Sequence, residues 1–155
     1  MKDAGEKKRT EGLMSNLVRR LADSFARAGF LVVAPDMFDG NPAPMDFNTP
    51  GFNATEFTLL HGPSATDPIL AKAVAYLQTT GVEKIATTGY CYGGRYAFRM
   101  LAAGKGVDAG FAAHPSLLED SEINAITRPI SVAAAGKILA PLPFPGEPLQ
   151  LPLFV

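Results

Sequence analysis

The chain is predicted to be an α/β protein with a parallel sheet carrying helices on both faces. Three observations carry that expectation. Short apolar runs alternate with stretches of helical period along most of the 155 residues. The first such run, Phe30-Leu31-Val32-Val33-Ala34, is apolar throughout rather than alternating with polar residues, as in strands buried on both faces. With 47% apolar and 19% charged residues, one domain of this length can bury a sizeable core.

The elements follow in order. Leu13, Leu17, Leu21 and Phe25 recur at i, i+4 and predict one helical face, with Gly29 placed to cap its end. Phe30–Ala34 is then expected as a strand ended by Pro35. Residues 36–66 are rich in Pro, Asn, Asp and Gly and read as a long surface excursion. Asp67 and Pro68 suit the cap and first turn of a second helix, running through Ile69, Ala73, Val74 and Leu77 to about Thr80. Lys84–Thr88, Val107–Ala113 and Ile130–Ala135 read as strands. A helix through Tyr96, Phe98, Met100 and Leu101 follows the first of these, and a short helix at Ser121–Ile126 precedes the last. In such sheets, chemistry gathers beyond the carboxyl ends of the strands.

Composition narrows function. A net charge of −1 argues against a strongly basic nucleic-acid binder, and Lys7-Lys8-Arg9 suits a solvated terminus. No stretch reaches the roughly 18 apolar residues of a membrane span, and the charged start MKDAGEKKRTEG lacks the apolar core of a secretory signal. A cytoplasmic location with no membrane partner is therefore expected. The single cysteine, Cys91, excludes an internal disulfide, and no Cys/His cluster suits a metal. Past Gly136, the segment KILAPLPFPGEPLQLPLFV is too rich in proline for a regular helix or inner strand. It reads as an extended tail, with a polyproline recognition peptide as the alternative.

The informative stretch is Gly89-Tyr90-Cys91-Tyr92-Gly93-Gly94, which fits G-x-C-x-G-G, the thiol form of the nucleophile elbow. A strand that turns into a helix within one residue holds that residue in a strained conformation. The flanking glycines are expected because side chains there would strike neighbouring backbone. Cys91 would sit at a helix N-terminus, where the dipole favours a thiolate. The backbone N–H of Tyr92 would face the same space and supply half of an oxyanion hole. The competing reading is a buried, inert cysteine in a Gly-rich turn. A phosphate loop is disfavoured, because no G-x-G-x-x-G and no Lys-Ser/Thr follows.

From about Gly12 to Gly136 the chain resembles the dienelactone hydrolase family, in its fungal form, an α/β-hydrolase fold. The matching pieces are LADSFARAGFLVVAPDMFDGNPAP, DPILAKAVAYL, KIATTGYCYGG and VDAGFAAHPSLLEDSEINAITRPISVAAAG, with Pro35-Asp36 and the cysteine elbow the most specific. The resemblance implies hydrolysis of a small-molecule ester or lactone by a Cys-His-Asp triad without metal or organic cofactor. Cys91 would be the nucleophile and Tyr92 the oxyanion donor. It also implies three segments: residues 1–11 a charged tail, 12–136 a partial family domain, and 137–155 a Pro-rich tail.

Departures from the family pattern are equally specific. The family's triad acid follows the strand matching Ile130–Ala135, but here Gly136-Lys137-Ile138-Leu139 follow and no carboxylate comes before Glu147. Its histidine follows a further strand and helix, for which this sequence has no counterpart. Its oxyanion loop follows a strand that would precede Leu13, where the charged MKDAGEKKRTE stands. That strand lies between those matching Phe30–Ala34 and Lys84–Thr88, so the sheet is expected to be incomplete and to lack a neighbour for each.

Two histidines remain. His114 follows the third strand and is weighed as a pocket-lining residue or substitute general base, whereas His61 is expected at the surface. Arg95 could pair with an anionic substrate or serve helix packing. Phe38, Met45, Phe47 and Phe57 could shape a pocket or pack among themselves. Three functions stay open: a cysteine ester or lactone hydrolase, a catalytically incompetent fragment of one that lacks the triad Asp and His, and a redox-sensing thiol.

Overall fold

The computed structural model describes residues 17–44 and 46–134. The predicted tails, and Leu13 and Met45, lie outside the described residues. The chain divides into two units, up to Gly81 and from Val82.

The first unit is helical. Residues 17–27 form α1, and Gly29 closes it at φ 95°, where its N–H donates to Ala26 O at 3.0 Å. A left-handed residue there takes up an otherwise orphaned carbonyl, as the sequence predicts. Leu17, Val18 and Leu21 on α1 are exposed.

Phe30–Ala34 departs from expectation. It forms no strand, and Phe30 and Leu31 are exposed. An apolar run becomes a strand only beside another strand's edge, and none pairs with it among the described residues. The Pro35-Asp36 motif acts locally instead. The Asp36 carboxylate accepts from Phe38 N at 3.0 Å and Gly40 N at 2.7 Å, folding the chain back in a side-chain-closed turn.

The excursion contains a helix that its composition conceals. Helix α2 spans Ala54–Leu60, and the Asn53 side chain caps it by accepting from Thr55 N and Glu56 N. Helix α3 spans Pro63–Thr79 and so begins a turn earlier than predicted. Pro63, rather than Pro68, occupies the first turn, where a missing N–H costs nothing; Pro68 lies inside the helix. Ile69, Ala73, Val74 and Leu77 form its half-buried stripe.

The second unit is a three-stranded parallel sheet with its helices, part of an α/β fold. Strands β1 (Ala86–Tyr90), β2 (Ala109–Ala113) and β3 (Ile130–Ala133) lie side by side in sequence order. Tyr90 pairs with Ala113, and Ala113 with Ala133, so the three carboxyl ends are level. The crossovers carry α4 (Tyr92–Arg99) and α5 (Asp120–Asn124). Helix α4 packs on β1 and β2, and α5 packs on α4.

Its core forms where α4 meets the sheet. Ala97, Phe98 and Ala112 are buried together, with Leu118, Ile123, Ile126, Ile130 and Val132 packed around them. Phe98 and Leu101 are fully buried, each contributing about 1.5–3 kcal/mol of burial free energy.

Candidate active site

The elbow exists as a sharp bend. Strand β1 ends at Tyr90, α4 begins at Tyr92, and Cys91 alone makes the turn at φ 51°, ψ −114°. A side chain at positive φ is strained by about 1–3 kcal/mol, so the surroundings must hold it. They do so with backbone hydrogen bonds. Cys91 N donates to Ala113 O at 3.0 Å, and Cys91 O accepts from Gly94 N at 3.0 Å and Ser116 N at 3.1 Å.

The glycines explain how two backbones approach so closely. A β-carbon on Gly89 would strike the Gly93 carbonyl, and one on Gly94 would stand 2.9 Å from Pro115 Cα. Gly93 differs from expectation, because a β-carbon there meets open space. It is the bare backbone at Gly89 and Gly94 that permits the turn.

Cys91 is exposed, not packed into the apolar interior. Among the described residues its sulfur has one polar partner, the Ser116 hydroxyl, with Sγ to Oγ at 3.5 Å. Tyr92 is the first residue of α4 and belongs to the turn whose N–H groups point out of the helix N-terminus. Its hydroxyl reaches Tyr96 Oη at 3.2 Å.

His114 directly follows β2, one strand over from Cys91 at the same sheet edge. It also has positive φ, at 37°, and its N–H donates to Ala133 O at 2.8 Å. Its ring lies beside Tyr90, with centroids 6.4 Å apart, and makes no hydrogen bond to the Cys91 sulfur. The structure thus brings the two residues to one edge without joining them.

Arg95 serves helix packing, the second of the two roles weighed for it. Its side chain is buried, and Nε donates to both Glu122 oxygens at 2.8 and 2.9 Å while Nη2 reaches Glu119 at 2.6 Å. Arg99 adds a 2.6 Å bond to Glu122. Burial alone would raise the Glu122 carboxyl, but the Glu119 N–H and the two guanidiniums outweigh it and hold the group below the usual carboxylate range. The network fastens α5 to α4 behind the elbow. These partners lie 23 to 27 residues apart, beyond the reach of local sequence patterns.

His61 is half-buried rather than superficial. Nδ1 lies 2.9 Å from Phe57 O, and the ring sits against Phe57 and Phe38 at centroid distances of 4.2 and 5.4 Å. Phe38, Phe52 and Phe57 pack together in the first unit, while Phe47 stacks on Phe52 and stays largely exposed.

A separate cleft of about 470 Å³ is lined by Ala102, Gly104, Val107, Asp108, Thr127 and Arg128. Asp108 and Arg128 precede β2 and β3, so this cleft opens at the sheet edge opposite Cys91. Among the described residues, no group of three or more His, Cys, Asp or Glu could hold a metal, and no helix is long and apolar enough to cross a membrane.

Comparison with known proteins gives a family match. A profile described as the dienelactone hydrolase family covers residues 9–137. The chain is 41% identical over 118 residues to hydrolase pyvD of Aspergillus violaceofuscus, covering 76% of this chain and 47% of that protein. It is 36% identical over 131 residues to hydrolase tropI of Talaromyces stipitatus, covering 76% and 49%. Similarity to dienlactone hydrolase 1 of Gibberella moniliformis is 26% over 129 residues, covering 77% and 49%. The chain spans about half the length of these curated relatives. No solved structure gives a significant match.

Proposed function

This chain belongs to the dienelactone hydrolase family, and from that membership and the elbow we propose a carboxylic ester or lactone hydrolase with Cys91 as nucleophile. The observation that carries the reading is an exposed sulfur on a strained turn between a strand and a helix N-terminus. The Cys91 thiolate attacks the carbonyl carbon, forming a C–S bond while the carbonyl π electrons move to oxygen. The backbone N–H of Tyr92 donates to that oxyanion. Collapse restores the carbonyl and expels the alkoxide, leaving a thioester. Water then cleaves the thioester, its oxygen and one proton leaving with the acid, while its second proton passes from the freed sulfur to the alkoxide, which departs as the alcohol and restores the thiolate. A small-molecule ester or lactone is the substrate class, and no step calls on a cofactor.

A second reading is acylation without efficient turnover. It rests on the sulfur's neighbours: among the described residues, neither imidazole nor carboxylate hydrogen-bonds to Sγ. Without a base to activate water, the thioester persists, because triad members act as a unit.

A nitrophenyl acetate time course separates the two. A burst followed by steady release, both lost in Cys91→Ser, supports the hydrolase. A burst that stops at one equivalent supports the stalled acyl-enzyme. The absence of any Cys91-dependent burst, with peroxide oxidising the thiol instead, favours a redox role and overturns both.

A further inference from the structure

The loop after β2 is built onto the elbow. Ser116 N–H donates to the Cys91 carbonyl at 3.1 Å, and His114 N–H anchors the loop to Ala133 O at 2.8 Å. Between them, Pro115 Cα occupies the space left by the missing Gly94 side chain, 2.9 Å from where a β-carbon would stand. The loop therefore has little freedom to slide along the turn. Ser116 also places Oγ 3.5 Å from Cys91 Sγ.

We propose that Ser116 is the positioning residue of the Cys91 thiol, an inference that rests on the reading of Cys91 as nucleophile. A serine hydroxyl both donates and accepts. Beside a neutral thiol, Oγ accepts the S–H. Once the thiol ionises, the hydroxyl rotates about Cβ–Oγ and donates to the sulfur anion, a charge-assisted bond stronger than the neutral one. The side chain thus stabilises the attacking form and fixes the direction of Sγ without entering a covalent step. Two hydrogen bonds join one residue to one residue here: the backbone bond holds the strained turn, and the side-chain bond holds the sulfur.

Substitution can separate those two bonds. Ser116→Ala deletes the hydroxyl and keeps the N–H bond to the Cys91 carbonyl, while Ser116→Thr keeps both. The full chain and both variants are alkylated with iodoacetamide across a range of pH, and their thermal midpoints are compared. The proposal expects Ser116→Ala to retain the wild-type midpoint. Its alkylation at neutral pH slows by about three- to tenfold, and its rate-against-pH curve moves to higher pH. Ser116→Thr restores both rate and curve. Superimposable curves for wild type and Ser116→Ala overturn the proposal, as does a folded Ser116→Thr that behaves like Ser116→Ala. Alkylation needs no ester chemistry. A wild-type thiol that alkylates but never acylates therefore defeats the hydrolase reading, while the Ser116 comparison is still decided by its own curves.

Discussion

A β-carbon placed on Gly89 would overlap the carbonyl oxygen of Gly93. Gly93 O is main chain, so the clash can be relieved only by moving the first turn of α4 away from β1. Gly89→Ala is expected to lose about 3 kcal/mol or more and to slow Cys91 alkylation with it. Gly93→Ala meets open space and is expected to stay within about 1 kcal/mol of wild type. Denaturant unfolding of the two variants side by side checks the contrast.

Glu122 receives charged hydrogen bonds from Arg95 and Arg99 while only 4% of its side chain is exposed. Glu122→Ala leaves the Arg95 guanidinium buried without its main partner, and the expected loss is about 3–5 kcal/mol. The exposed pair between Lys84 and Asp108 is the control, since Lys84 is 81% exposed. Lys84→Ala should cost no more than about 1 kcal/mol. Equal losses from both variants would contradict this view of α5 docking.

The same groups set the acid limit. Glu122 titrates below its ordinary 4.5 for the reasons given above. Asp108 titrates below its ordinary 3.8, chiefly because its carboxylate accepts the Ile85 N–H, with Lys84 adding to this. For a carboxylate lowered on folding, the stabilisation is complete above the unfolded value and disappears as pH falls through the folded one. Stability should therefore hold from neutral pH to about pH 5 and decline as the medium becomes more acidic. Glu122→Gln should flatten that decline, as read from denaturant midpoints at a series of pH values.

His114 shares the sheet edge with Cys91 but makes no hydrogen bond to its sulfur. His114→Asn removes the imidazole and tolerates the positive φ. Burst and steady release with an activated ester should both be unchanged in this variant. Loss of either in a folded His114→Asn protein would make the imidazole the missing base.

The site was legible in sequence because its constraint is local. A cysteine between glycines specifies one bend, and Gly89, Cys91 and Gly94 each satisfy that bend within six residues. The three strands of the sheet are legible in sequence, but β1 spans Ala86–Tyr90 where Lys84–Thr88 is expected, and β2 begins at Ala109 rather than Val107. Ile85 donates its N–H to the Asp108 side chain rather than to a ladder carbonyl, which periodicity cannot reveal. Phe30–Ala34 failed for the complementary reason, since apolar character alone supplies no pairing edge. Helix α2 had a signal, Asn53 three residues before Glu56, hidden in a segment dominated by turn formers. Ser116 and the role of Arg95 depend on contacts across 25 and 27 residues, so only the folded chain discloses them.

Mass spectrometry of the protein after brief exposure to a nitrophenyl ester, with peptide mapping, asks whether the sulfur at the bend forms the covalent bond. A single acyl group on the peptide containing Cys91, absent from Cys91→Ser, is the expected result. A folded protein left unmodified at Cys91, or acylated only elsewhere, would contradict it.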